Sequence, residues 1–208
     1  MRHRWMCLPM IGLLCLLGGC GGGGEPSADE LALQIRGEYL SMEGFTARVE
    51  LEADYGERVY AYAMDTSYAR EEGLTLTLTA PEEVAGITAH VQEGETFLEY
   101  DGVRVETGPL NEAGLSPMDA LPALLAAVQE GYLAECSFLT VGETETLHLT
   151  VRDPEGEPGV GTEVQLWLDP AGHGLLRGEI SQDGRTVIQC VIHEFHMHLP
   201  PEGEAEGR

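Results

Sequence analysis

Three groups of side chains in this sequence have types and spacings that could do chemistry. The first is Cys20, which follows Leu17-Gly18-Gly19 and precedes Gly21–Gly24. An aliphatic residue, two small residues and a cysteine form a lipobox. The small pair lets a peptidase reach the backbone, and the thiol is where a diacylglyceryl group attaches. The second group is Cys136 and Cys190, the two cysteines that remain once the chain is cut before Cys20. The third is a histidine cluster near the end of the chain: His193, His196 and His198, with Glu194 among them.

The histidines suit a transition metal such as zinc, which takes imidazole ligands. On a regular strand Glu194, His196 and His198 share one face and His193 takes the other. His196 and His198 then stand roughly 7 Å apart, so the pair needs further ligands from a neighbouring strand. The other reading is a solvated strand end. Nothing else in the chain assembles into a catalytic set. No serine, histidine and aspartate fall in a nucleophile-elbow context, and no loop would cradle phosphate. The acidic loop Asp153-Pro154-Glu155-Gly156-Glu157 lacks the alternating ligands and closing glutamate of a calcium loop. The expectation is a protein without enzymatic activity and without a cofactor.

The residues before Cys20 support its reading. Arg2, His3 and Arg4 make a positive start, and Trp5 to Leu17 carry no charge. That run is too short to span a bilayer, which needs about 20 apolar residues, and it has the length of a signal-peptide core. Residues 1–19 are therefore expected to be removed, leaving 189 of the 208 residues. Two or three acyl chains hold stably, at roughly 0.8 kcal/mol per buried methylene, so the anchor needs no transmembrane helix.

Charge narrows the partners. The chain has 11 Lys+Arg against 36 Asp+Glu, and every basic residue is arginine. With Arg2 and Arg4 gone, nine arginines face 36 acids, a net charge of −27. Such a surface repels nucleic acid and anionic head groups, so contact with the membrane falls to the lipid on Cys20. An exported domain also sits where disulfides persist. A bridge between Cys136 and Cys190 would span 54 residues of sequence and stabilise by roughly 4 kcal/mol in the chain-entropy model. Against it, free cysteine packs readily as a small apolar side chain. The even pair tips the reading slightly to a bridge.

The elements that must position these groups read clearly in order. Residues 20–27 are a lipidated tether. Ser27-Ala28-Asp29-Glu30 is a capping box, and Leu31, Ile35, Tyr39 and Met42 recur at helical spacing, which predicts a helix over Ala28–Met42. Phe45–Asp54 alternates strictly. Arg58–Ala69 is a second long strand, with apolar residues on both faces. Leu74–Thr79, Ile87–Gln92, Thr96–Tyr100 and Val103–Thr107 follow, punctuated by turns such as Asp101-Gly102. Ser116-Pro117 opens a second helix whose apolar face is Leu121, Leu124, Leu125, Val128 and Tyr132. Pro122 within it is expected to kink it or split off its first turn. Leu133–Val141, Glu145–Arg152, Thr162–Leu168, Leu175–Ser181 and Thr186–Leu199 are five more strands. The acidic tail, residues 200–208, is expected to be disordered.

The order is lipobox, helix, six strands, helix, five strands. It ends on Val164-Gln165-Leu166-Trp167-Leu168-Asp169-Pro170, the turn Gln182-Asp183-Gly184 and a long strand into Phe195. This resembles the lipoprotein-carrier family (LolA/LolB-like) and related lipid-carrying surface lipoproteins. The resemblance implies an α+β fold over residues 28–199: an open antiparallel half-barrel of about eleven strands, with both helices on its concave side. It also implies an apolar cavity for acyl chains or a lipidated partner. Here Val49, Leu51, Tyr60, Tyr62, Leu76 and Leu78 would line it, and the second helix, with Leu124 and Leu125, would close it. The family's membrane receptor carries an exposed apolar residue on a loop. Glu71–Gly73 and Asp153–Gly161 offer no equivalent, so lipoprotein transfer itself is not implied.

Three readings follow. The leading one is a monomeric, extracytoplasmic lipoprotein, anchored to the cell membrane at Cys20, that binds a lipid or a lipidated partner. The second is a non-enzymatic interaction module of the same fold with a filled core. The third is a metal-binding surface lipoprotein using His196 and His198.

Overall fold

A computed structural model describes residues 25–92, 95–108 and 113–200. Cys20, the signal segment and the acidic tail beyond 200 lie outside the described residues. None of the described helices is long and apolar enough to cross a membrane.

The first helix, α1 (Ala28–Ser41), starts where its cap demands. The Ser27 hydroxyl accepts from the Glu30 amide at 3.3 Å, and the Glu30 carboxylate accepts from the Ser27 amide at 2.9 Å. These bonds satisfy two helix-end donors that would otherwise have no partner. They also hold the Glu30 carboxyl below its ordinary value, the Ser27 amide doing most. The face of α1 carrying Leu31, Ala32, Ile35 and Tyr39 is buried.

Six strands follow: β1 (Gly44–Asp54), β2 (Val59–Ala69), β3 (Gly73–Ala80), β4 (Thr88–Gln92), β5 (Glu95–Tyr100) and β6 (Val103–Glu106). Helix α2 (Pro117–Glu130) comes next, then β7 (Leu133–Val141), β8 (Thr144–Arg152), β9 (Thr162–Leu168), β10 (Leu175–Gln182) and β11 (Arg185–His198). All eleven form one antiparallel sheet in the order β6-β5-β4-β3-β2-β1-β11-β10-β9-β8-β7. The chain meanders outward from β1 to β6, crosses the sheet as α2, and meanders back from β7 until β11 pairs with β1. The fold is thus the expected open half-barrel with two helices.

Alternation decides which face meets the helices. Phe45, Ala47, Val49, Leu51 and Ala53 of β1 are buried, while Thr46, Arg48, Glu50 and Glu52 between them are exposed. The helices share the inner face. Helix α1 lies over β7 and β8, and α2 over β9, β10, β11 and β1. They are tied to each other by Arg36, whose guanidinium donates to the carbonyls of Val128 at 2.9 Å and Gly131 at 2.6 Å. A cation from α1 thus serves the negative end of α2, which has no basic residue in its own last turn. Gln129 returns the tie by donating to the Tyr39 carbonyl at 2.9 Å.

Of the two expected effects of Pro122, splitting off a first turn does not occur: the helix is one element from Pro117 to Glu130. A proline in the second turn costs the bond its missing amide would make, but Ala120, Leu121, Leu124, Leu125, Ala127 and Val128 are all buried on the sheet. That burial outweighs one lost hydrogen bond.

Candidate functional site

The inner face is not covered evenly. Helix α2 lies over the centre and one wing, and the β2–β6 wing extends past its N-terminal end. An apolar cavity of about 270 Å³ opens there. Tyr62 of β2, Leu78 of β3 and Leu98 of β5 supply the sheet side, Val84 and Ile87 the β3–β4 connection, and Ser116, Pro117 and Met118 the start of α2. The local sequence explains the opening. Ser116 caps α2 by accepting from the Asp119 amide at 3.3 Å, so the helix begins directly above the wing. Tyr55 fixes the segment before it, donating to the Leu115 carbonyl at 2.8 Å. Burial pushes the Tyr55 phenol above its ordinary value, so it stays a donor at neutral pH. A smaller cavity of about 160 Å³ lies further along α2, among Met42, Phe45, Tyr68, Leu74, Pro122 and Leu125.

The expected cavity residues divide into two sets. Tyr62 and Leu78 line the larger cavity, and Leu125 lines the smaller one. Val49, Leu51, Leu76 and Leu124 do not line either inner cavity: all are buried in the packed core beneath α2. Tyr60 is exposed and stacks on Tyr62 with ring centroids 6.4 Å apart. The reason is register. Residues that face inward near the sheet centre meet a helix, and only those past its end meet empty space. Val84, Ile87, Leu98 and Met118 were missed because they belong to a connection, a short strand and a helix start. Each sequence signal there was weak by itself.

The disulfide is not formed: Cys136 and Cys190 are both free thiols. Cys136 is on β7, the edge strand, and Cys190 on β11, with β8, β9 and β10 between them. Four strand spacings of about 4.8 Å far exceed the roughly 7 Å limit between bridged Cα atoms. Both thiols stay protonated. Burial pushes Cys190 up to about 12. Burial, then a hydrogen bond to Asp29, pushes Cys136 up to about 11.

The histidine cluster also changes. Opposite Ala47 the β1–β11 pairing shifts register, and Glu194 takes a φ of 52°. This bulge adds one residue to β11 and reverses its alternation. Phe195 and Met197 turn inward onto the core, where Phe195 stacks between Tyr39 and Phe45 at 5.9 and 5.2 Å. His193, His196 and His198 are all exposed, so His193 joins the other two instead of facing away from them. Among the described residues no group of three or more histidine, cysteine, aspartate or glutamate side chains is gathered to hold a metal ion.

No protein-family model matches this chain, and no curated protein does. Solved structures do. An uncharacterized conserved protein from Thermus thermophilus superposes with a TM-score of 0.51 at 12% identity, over 88% of this chain and 94% of that one. At this identity the two share a fold. A LolA superfamily protein from Nitrosomonas europaea matches at a TM-score of 0.43 and 10% identity, over 85% of this chain and 96% of its own. The Mycobacterium tuberculosis lipoprotein LppX matches at 0.46 and 14%, over 84% and 99%. The matched structures thus include the LolA superfamily to which the sequence pointed.

Proposed function

We propose that this chain is an extracytoplasmic lipoprotein, held at the membrane through Cys20, whose inner cavity takes a hydrophobic ligand. The observation that carries the reading is the opening at the N-terminal end of α2. Its walls, from Tyr62, Leu78 and Leu98 of the sheet to Ser116, Pro117 and Met118 of the helix start, are apolar but for the Tyr62 and Ser116 hydroxyls. An apolar void of this size holds only weakly bound water, so an alkyl group that replaces it gains burial. At about 270 Å³ the cavity sits just under the size of ordinary small-molecule sites, roughly 300–1,000 Å³. It suits one alkyl chain or one ring, not a lipid with several chains buried at once. The role is binding, with no bond made or broken.

A second reading is supported by a different observation. Val49, Leu51, Leu76 and Leu124 are almost fully buried, so most of the inner face is packed core. A filled half-barrel could serve as a protein-interaction module. Native mass spectrometry of the mature protein after mild extraction separates the two. A hydrophobic ligand retained as added mass, and lost when Met118→Trp fills the cavity, is the expected result. An empty wild-type protein that also takes up no alkyl probe overturns the ligand reading and leaves the interaction module.

A further inference from the structure

The outer face, opposite the helices, carries a larger hollow than the inner one, about 450 Å³. Its floor is Ala61 and Ala63 of β2, Ala80 and Pro81 at the end of β3, and Val191 of β11; Glu50 and Glu52 of β1 stand along it. Three features set it apart from an ordinary wet sheet face. The first is composition. Solvent-facing strand positions favour threonine and charged or long polar residues, and alanine is a weak strand former. Here the outward row of β2 reads Val59, Ala61, Ala63 before it becomes Asp65 and Ser67. Val191 of β11, across β1 from Ala63, is 41% exposed.

The second feature is shape. The β2–β3 pairing shifts register at Ala63, so that Ala63 pairs with Ala80 and Met64 with Leu78. A shift of this kind bends the strand. Small side chains then leave the bend open instead of filling it.

The third feature is charge. The arginines on this face are already engaged by acids of the same chain. Arg48 meets Asp65 at 3.3 Å and Glu194 at 3.8 Å, Arg177, beside Val191, meets Glu179, and Arg185 meets Asp54 at 2.7 Å. Glu50 has only His193, at 3.7 Å, and Glu52 has no ion-pair partner among the described residues. The hollow therefore offers an apolar floor beside two carboxylates that no arginine among the described residues pairs with.

We propose that this outer hollow is a docking site for a basic, apolar segment of another protein. An aliphatic side chain rests on the alanine floor, and an arginine or lysine two residues along meets Glu50 and Glu52. A strand-like segment spaces alternate side chains by about 7 Å, which matches the spacing of the two glutamates on β1. The site lies on the opposite face of the sheet from the proposed ligand cavity and does not depend on it.

The test uses a fluorescein-labelled, amidated Leu-Ser-Arg-Ser-Arg peptide, which puts the leucine and both arginines on one strand face, titrated with the full chain in lipid nanodiscs and read by anisotropy. Saturable binding in the millimolar range or tighter is expected. Glu50→Gln with Glu52→Gln should weaken it about three- to tenfold, the scale of two exposed charge pairs. Ala63→Arg should abolish it, because it both fills the floor and repels the peptide. The exposed turn pair Glu71→Gln with Glu72→Gln should leave it unchanged. Equal weakening by the turn pair, or equal binding of the neutral Leu-Ser-Gln-Ser-Gln peptide, overturns the proposal, since bulk negative charge or bare apolar contact would then explain everything. Absence of saturable binding overturns it too.

Discussion

Helix α2 comes close to β10 at Gly178, and this contact sets how far the helix stands from that strand. A Cβ built on Gly178 would sit 2.5 and 2.6 Å from the two methyls of Leu124 and 3.0 Å from its Cγ. Carbon atoms prefer about 3.5–4.0 Å. Gly178→Ala must therefore move Leu124, and α2 with it, by about 1 Å, and should destabilise the domain by about 1–3 kcal/mol. Leu124→Ala removes three carbons from a side chain that is fully buried. Transfer alone is about 2.4 kcal/mol, and the space left behind raises the cost to about 3–4 kcal/mol. The two changes are complementary in volume: the methyl that Gly178→Ala adds occupies space that Leu124→Ala vacates. The double variant should then cost less than the sum of the singles by about 1–3 kcal/mol. Urea unfolding of all four proteins, with equal m-values as the check on two-state behaviour, measures this directly. Additivity within about 0.5 kcal/mol would refute the claim that Gly178 exists to let α2 approach.

Three further outcomes are expected. Met118→Trp or Leu98→Trp should reduce uptake of an environment-sensitive apolar dye, while Leu76→Trp should unfold the domain, because only the first two face open space; equal dye uptake by wild type and Met118→Trp would count against the cavity. Alkali should weaken the fold through Cys190. Above pH 9 the unfolded chain ionises this thiol while the folded one holds it protonated to about 12. The unfolded state then binds fewer protons, and stability falls by up to about 1.4 kcal/mol per pH unit across that window. Cys190→Ala should flatten this slope in denaturant titrations at pH 8.5 and 10, and an unchanged slope would show that the thiol is not the cause. Cys20→Ala should move the protein from the membrane to the soluble or secreted fraction, and continued detergent dependence on cell fractionation would remove Cys20 as the anchor.

Local pattern carried the sequence a long way. Ser27 and Glu30 mark the start of α1 because a capping box satisfies its donors within four residues. Strict alternation from Phe45 to Asp54 assigns the buried face of β1 without any knowledge of what covers it. Turn residues such as Asp101-Gly102 and Asp183-Gly184, where the aspartates adopt positive φ, separate the strands. Together these gave eleven strands, two helices and the meander between them. Each is a short-range effect, written within a few residues.

What only the tertiary structure decided depends on contacts between distant segments. The bulge at Glu194 arises from pairing with β1, so the strand alternation that placed His193 apart from His196 could not reveal it. The separation of Cys136 from Cys190 is a matter of strand order, and strand order follows from which edges meet when α2 folds across. The apolar residues of β1 to β3 look alike in sequence, yet Leu51 and Leu76 are core while Tyr62 and Leu78 border a cavity. The difference is where a helix begins, set by the cap at Ser116, far along the chain from all four. Alternation says which way a side chain points, and only the packed fold says what stands opposite it.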